Sequence, residues 1–172
     1  MIKVIANILG VLAVAMFVFS YQLKTRKMLI FFNAGSRILY VLQYILLGAW
    51  DGAVMDSVAF LVSIVAERRK HGWVARHTKL TITVANLAII SAGLLFYKNL
   101  LTLLAIAGVL FETGALWLTK EKSIRILSFF GAPCWLIYNL FVGAYGGAAG
   151  NVLTVVSIGL AIIRNDIKKK EP

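Results

Sequence analysis

Long apolar segments separated by short basic clusters constrain this chain more than any other feature. Each segment is about as long as the roughly 20 residues that an α-helix needs to cross a bilayer. Their apolar character is continuous rather than alternating, which disfavours a membrane β-barrel. The chain is 60% hydrophobic and only 15% charged, too little polar surface for a soluble domain of 172 residues. We therefore predict an all-α membrane protein with seven transmembrane helices, at about 3–23, 28–48, 50–67, 78–97, 100–119, 123–143 and 145–164.

The basic residues predict how these helices are oriented. Fifteen of the eighteen Lys and Arg residues lie in four segments that share one side if the seven helices alternate: 24–27, 67–79, 119–125 and 164–172. The opposite side holds only Lys3 and Lys98, and Arg37 lies within a span. Short loops rich in Lys and Arg remain in the cytoplasm. We expect the N-terminus outside and the C-terminus inside.

The net charge of +11 does not indicate nucleic-acid binding. The bases occur in short clusters between apolar runs, which is typical of orientation signals. A cytoplasmic face of this kind also suits anionic lipid headgroups. We expect the lipid bilayer, and no nucleic acid, to be the partner of these residues.

Two stretches that lie ninety-five residues apart indicate an internal repeat. GAWDGAVMD at 48–56 and GAYGGAAGN at 143–151 share four identical positions, and Asp56 falls opposite Asn151. The same shift aligns the whole of 3–67 with 100–164. Three helices are an odd number, so two such units joined directly would be antiparallel, and the unrepeated helix at 78–97 restores a parallel orientation. We predict this 3+1+3 plan, whose substrate sites lie near midplane at the repeat interface.

The plan gives the chain three parts. Residues 1–70 form the first three-helix repeat. Residues 71–98 contain the rest of a basic cytoplasmic loop and the linker helix. Residues 99–172 form the second repeat with a basic cytoplasmic tail.

Polar and aromatic residues follow one face of the second helix in each repeat. In the first repeat the spacing i, i+3, i+6 and i+7 places Arg37, Tyr40, Gln43 and Tyr44 together. The second repeat has Trp135, Tyr138 and Asn139 opposite the last three. Lipid offers such groups no hydrogen-bond partner, so both faces should point inward. They either line a polar cavity, which the mirrored set favours, or only hold helices together through hydrogen bonds.

Three charged side chains are predicted well inside spans, away from their ends: Arg37, Asp56 and Glu112. Ionisable groups there normally face protein or water and have a partner. Arg37 has Ala132 opposite it, so we expect either an ion pair with Asp56 or Glu112, or recognition of an anionic group.

Asp56 and Asn151 carry a second ambiguity. They are either polar ligands contributed by both repeats or helix caps after tight turns, since Asp and Asn favour both roles. The paired glycines of the two stretches are better explained by tight connections than by helix dimerisation.

Several motifs resemble known families. SYQLKTRK at 20–27 resembles the end of the first helix in PQ-loop proteins, with Tyr21 in place of the proline. CWLIYN at 134–139, followed by Asn151, is similar to the pattern of SWEET-type sugar transporters. The motifs QYILLGAW at 43–50 and APCWLIYNLFVGAYGGAAGN at 132–151 resemble the YgjV family of bacterial inner-membrane proteins. This resemblance extends over nearly the whole chain.

The resemblance to the YgjV family implies a location in the bacterial inner (plasma) membrane, and the likeness to PQ-loop proteins implies a transporter-like pair of three-helix bundles. It would place Trp135, Tyr138 and Asn151 around a central cavity. Hinge roles would fall to Gln22 in the first helix and Pro133 in the sixth. Asp56 replaces one of the expected paired asparagines, which weakens any expectation of a sugar substrate.

These observations favour a transporter-like protein that moves a small polar or anionic solute by alternating access. The alternative is a non-transporting membrane scaffold or regulator. We expect no enzyme, no metal and no cofactor, because the sequence lacks a nucleophile–base pair and metal-ligand spacing. A single chain and a homodimer are both compatible with the plan.

Overall fold

The computed structural model describes residues 1–20 and 26–163. Within those ranges the chain forms eight helices and no strand. The helices are α1 (Ile2–Ser20), α2 (Arg26–Leu46), α3 (Trp50–Glu67), α4 (Gly72–Arg76), α5 (Thr78–Leu95), α6 (Leu100–Trp117), α7 (Glu121–Val142) and α8 (Tyr145–Ile162).

Seven of these helices coincide with the predicted spans, and α4 is an addition within the basic loop. Among the described residues, four helices are long and apolar enough to cross a membrane: Thr78–Leu95, Leu100–Trp117, Lys122–Val142 and Tyr145–Ile162. A shorter apolar segment occupies Ile2–Met16. Helix α3 is not among the four, and it carries three carboxylates, Asp51, Asp56 and Glu67. The structure is thus that of a helical membrane protein.

The two glycine-containing turns have the same backbone geometry. Gly48 and Gly143 adopt left-handed φ angles of 70° and 78°. In both turns the amide of the next alanine bonds, at 2.9 Å, to a carbonyl five residues earlier, Ala49 to Tyr44 and Ala144 to Asn139. This is the Schellman arrangement, which favours glycine because an L side chain is strained at positive φ. The expectation of tight connections is confirmed for Gly48 and Gly143. For Gly52 and Gly147 it is wrong, because these glycines allow close packing: a Cβ atom there would lie 2.5 Å from the Tyr138 hydroxyl and 2.9 Å from the Asn139 amide nitrogen.

Six of the helices pack in a closed cycle: α1 contacts α2, α2 contacts α3, α3 contacts α6, α6 contacts α7, α7 contacts α8, and α8 returns to α1. Helix α5 packs outside this cycle against α3 and α6. Small residues allow the close approaches. A Cβ atom on Gly93 of α5 would lie 2.3 Å from Ile106 of α6, and one on Gly146 of α8 would lie 2.6 Å from the backbone of Gly10 in α1.

The interior contains small and polar residues, whereas large apolar side chains cover the outside. Fully buried residues include Ser36, Gln43, Thr102 and Thr113, and alanine is the commonest residue of the core. Large apolar side chains (leucine, isoleucine, valine or phenylalanine) are exposed on every long helix from α3 to α8, as at Leu153. Lipid contact explains such a surface, because water would not tolerate apolar patches of this extent.

Candidate functional site

Aromatic and amide side chains from α2 and α7 meet in the interior of the bundle. The Tyr44 hydroxyl donates a hydrogen bond of 2.8 Å to Asn139 Oδ1. The Tyr44 ring stacks on Trp135 at a centroid distance of 6.0 Å and lies edge-on to Tyr138, also at 6.0 Å. All four side chains are buried. The two polar faces predicted from the sequence therefore touch each other directly.

Helix α8 extends this network through Asn151. The side-chain amide of Asn139 donates to Asn151 Oδ1 at 2.8 Å. Asn151 and Asp56 lie inside α8 and α3, whose N-cap positions are Ala144 and Ala49. Helix capping is thus wrong as an explanation for either residue. Each is free to contact neighbouring helices.

Arg37 and Asp56 form an ion pair between α2 and α3. Arg37 Nη1 lies 3.0 Å from Asp56 Oδ1, and the two side chains are 20% and 11% exposed. The ion pair is thus one of the two roles that the sequence left open for Arg37. Tyr40 and Glu112 lie within electrostatic range of this pair, and Glu112 is in contact with Trp135. The cluster therefore draws charged groups from α2, α3 and α6.

Gln43 belongs to a different group of contacts. Its amide nitrogen lies 3.5 Å from Asn7 Oδ1, which also accepts from the backbone N–H of Gly146 at 3.4 Å. A Cβ atom on Gly10 would be 2.4 Å from the Gln43 amide nitrogen. Gln43 thus packs where α1 and α8 cross, although it shares a helix face with Tyr40 and Tyr44.

Asp51 is a buried carboxylate that the sequence analysis did not select. It is 5% exposed and accepts two hydrogen bonds, from Thr102 Oγ1 at 2.8 Å and from the Tyr138 hydroxyl at 2.9 Å. It belongs to the first repeated stretch, GAWDGAVMD, and lies within the span predicted at 50–67. The available signal was its position one residue inside that span. Asp51 connects α3 with α6 and α7.

Comparison with known proteins identifies the family. The pattern of the Imp-YgjV family, described as a bacterial inner membrane protein, matches residues 4–169. The chain belongs to this family. The inner membrane protein YgjV of Escherichia coli (strain K12) is 32% identical over 72 residues, which are 42% of this chain and 39% of that protein. No solved structure matches the chain.

Membership in Imp-YgjV agrees with the resemblance noted in the sequence and establishes this chain as an inner membrane protein. The matched relative is covered over less than half of its length. The family therefore supports the location in the bacterial inner membrane.

Two surface depressions in the described part of this Imp-YgjV protein lie away from the Arg37–Asp56 pair. One, of about 420 Å³, is lined by residues 68 and 71–74 in the basic loop. The other, of about 250 Å³, has Asp51, Lys98 and Asn99 among its lining residues. The described polar side chains around Tyr44 are in contact with one another rather than with either depression.

The remaining predictions concern the two hinge residues, a metal site and the cysteine. Gln22 lies outside the described residues. Pro133 lies within α7, which runs unbroken from Glu121 to Val142. Among described residues, no group of three or more His, Cys, Asp or Glu side chains is arranged to hold a metal ion. Cys134 is a partly buried free cysteine.

Proposed function

We propose that the chain consists of two parallel three-helix units, α1–α3 and α6–α8, joined by the linker helix α5, with the N-terminus outside. Reciprocal packing supports this plan: the third helix of each unit contacts the first helix of the other, α3 with α6 and α8 with α1. The identical turns at Gly48 and Gly143 give the same support, because they connect the second and third helices of each unit.

Two polar contacts between the units occupy equivalent positions under the shift of ninety-five residues. In each, a first-helix residue bonds to the third helix of the opposite unit, and a residue from the second helix of its own unit bonds to one of these two partners. The contacts are Asn7 with Gly146 and Gln43, and Thr102 with Asp51, which also binds Tyr138. Such a correspondence is expected of a duplicated unit that packs around an approximate two-fold axis.

We propose that the pair of units moves a small polar or anionic solute by alternating access and catalyses no covalent chemistry. The observation that carries the proposal is the Tyr44–Asn139–Asn151 network, which joins the two units by hydrogen bonds in an apolar bundle. Polar groups at the repeat interface are where parallel-repeat transporters bind substrate. In this interpretation the structure is the closed state, and rocking of the units exposes Tyr44, Asn139 and Asn151 in turn.

Uptake into proteoliposomes tests the transport proposal. A panel of small neutral and anionic solutes should contain at least one that accumulates in protein-containing vesicles. Asn151→Ala should then lower uptake by about tenfold, equivalent to about 1.4 kcal/mol, because one polar contact is lost. Val152→Ala is the matched control, since Val152 is exposed on the same helix. No uptake across the panel, or equal losses in both variants, would count against transport.

A non-transporting scaffold is the second candidate, and one observation favours it. The described polar side chains of the network donate to and accept from each other, and the two surface depressions lie elsewhere. A scaffold needs no water-filled space at positions 43, 56 and 151. Single cysteines at these positions, in a Cys134→Ala background, discriminate the two. Labelling by a small hydrophilic thiol reagent supports a transport pathway, whereas protection from both sides supports the scaffold.

A further inference from the structure

Carboxylates outnumber guanidinium groups in the cluster around Arg37. Arg37 forms its ion pair with Asp56, at 3.0 Å. Glu112, from the neighbouring α6, lies within electrostatic range of both, and among the described residues its side chain contacts the Trp135 indole. One positive and two negative groups would leave one uncompensated charge inside the membrane, where ionised side chains are strongly disfavoured.

The hydrogen bonding of Asp56 adds a second, independent observation. Its Oδ1 atom accepts from Arg37, whereas its Oδ2 atom is buried and has no hydrogen-bond partner among the described residues. A buried carboxylate oxygen without a donor is unfavourable. Protonation removes the charge of a carboxylate, and a neutral carboxyl group leaves a buried oxygen without a partner at lower cost than a carboxylate does.

The other groups that face the two carboxyl groups do not supply a second cation. They are Tyr40 and Tyr44 from α2, and Trp135 and Cys134 from α7. All are neutral in their ordinary states. Within the described part of the chain, Arg37 is therefore the positive group of this cluster.

We infer that Asp56 and Glu112 together hold one exchangeable proton at neutral pH, which makes the cluster the proton-coupling site of the protein. The pair titrates as a unit, because each carboxyl group feels the charge of the other. Asp56 comes from the first three-helix unit and Glu112 from the second. Loss of the proton leaves two like charges facing each other across the interface between the units, which favours their separation. The inference names the coupling ion of the proposed transport and so rests on it.

Infrared spectroscopy of the purified full-length protein in detergent tests the inference without measuring transport. A protonated carboxyl group has a C=O stretch that a carboxylate lacks. The wild type should show a buried band of this kind at neutral pH that weakens as the pH is raised, because base removes the proton. Asp56→Asn and Glu112→Gln should each abolish it, because the remaining carboxylate then balances Arg37. Arg37→Gln should enlarge it.

Asp51→Asn is the matched control. Asp51 is also a buried carboxylate in α3, but both of its oxygens already accept hydrogen bonds from hydroxyl groups. The band should survive this substitution unchanged. Size-exclusion chromatography and circular dichroism report whether each variant is folded. If a variant is not folded, the wild-type spectrum alone tests whether the cluster holds a proton.

Three results would overturn the inference. The first is a wild-type spectrum without the band at neutral pH, and the second is loss of the band in the Asp51→Asn variant alone. The third is loss of the wild-type band when sodium replaces choline as the cation of the buffer salt at constant pH. The third result would mean that a metal cation, rather than a proton, neutralises the second carboxylate. A wild-type protein that shows the band but no solute uptake would retain the proton site and lose the transport proposal, so the two fail separately.

Discussion

At the scale of single residues, this protein stabilises its buried carboxylates in two different ways. Asp56 has a cationic partner, Arg37, whereas the described hydrogen bonds of Asp51 come from the neutral hydroxyls of Thr102 and Tyr138. Hydrogen bonds to a charged acceptor are stronger than those between neutral groups. Asp51 therefore depends on both donors, which belong to α6 and α7.

Removing one of these donors should destabilise the protein. Tyr138→Phe keeps the ring and deletes only the hydroxyl that Asp51 Oδ1 accepts from. We expect the free energy of unfolding to fall by about 1–3 kcal/mol, because the oxygen loses its donor inside the bundle. Denaturation by increasing sodium dodecyl sulfate in mixed micelles measures the change. Tyr145→Phe, at a position that is 62% exposed, is the control and should have little effect. Equal effects of the two substitutions would contradict this account of Asp51.

At the scale of helices, glycine decides how closely α1 and α8 approach. A Cβ atom on Gly146 would lie within 2.7 Å of backbone atoms of Gly10 and Val11, which have no side-chain freedom with which to give way. The same crossing buries the Gln43 side chain and partly buries Asn7. Close backbone contact of this kind is a major source of association between membrane helices.

Gly146→Ala should therefore force α8 away from α1. We expect a loss of about 1–3 kcal/mol in the free energy of unfolding, the usual cost of overpacking. Gly159→Ala is the control on the same helix, because its Cβ atom would meet only Phe129 at 4.0 Å. That substitution should be neutral or slightly stabilising, since alanine favours helix more than glycine does. The two unfolding curves, recorded under identical detergent conditions, would disprove the close-packing argument if they shifted equally.

At the scale of the whole molecule, charge and surface determine how the protein sits in the membrane. The exposed residues of the long helices are mainly large and apolar, and the described basic residues concentrate in the loop that contains α4. In that loop Trp73 is exposed and stacks on His77, at a ring-centroid distance of 4.6 Å. Tryptophan and basic side chains together are typical of the boundary between membrane and cytoplasm.

The proposed orientation predicts which engineered thiols are accessible from each side. In a Cys134→Ala background, a cysteine at Lys98 should react with an impermeant maleimide on intact cells. One at His71 should react only after the inner membrane is opened, because the basic loop that contains it should stay in the cytoplasm. Both positions are exposed, so burial does not explain a difference between them. The reverse pattern would refute the N-terminus-outside orientation, and labelling of both from outside would refute the helix count.

The sequence by itself determined the features that depend on local pattern. Hydropathy set the seven long helices to within a few residues, and glycine at positions 48 and 143 specified the turns. Helical spacing put Tyr44 and Asn139 on inward faces, since lipid offers them no hydrogen-bond partner. An ion pair of Arg37 was one of the two predicted alternatives, because an ionisable group inside a membrane normally has a partner.

Only the tertiary structure decided which helices are neighbours. Helix α8 packs against α1, and Gln43 contacts Asn7 at that crossing. Tyr44 instead binds Asn139, although Gln43 and Tyr44 lie on one face of α2. Asp51 became a link between α3, α6 and α7 because residues fifty or more positions away supply its donors. Periodicity reports which side of a helix faces inward. It does not report what lies opposite, because that depends on contacts between side chains distant in the chain, made possible here by glycines at the crossing.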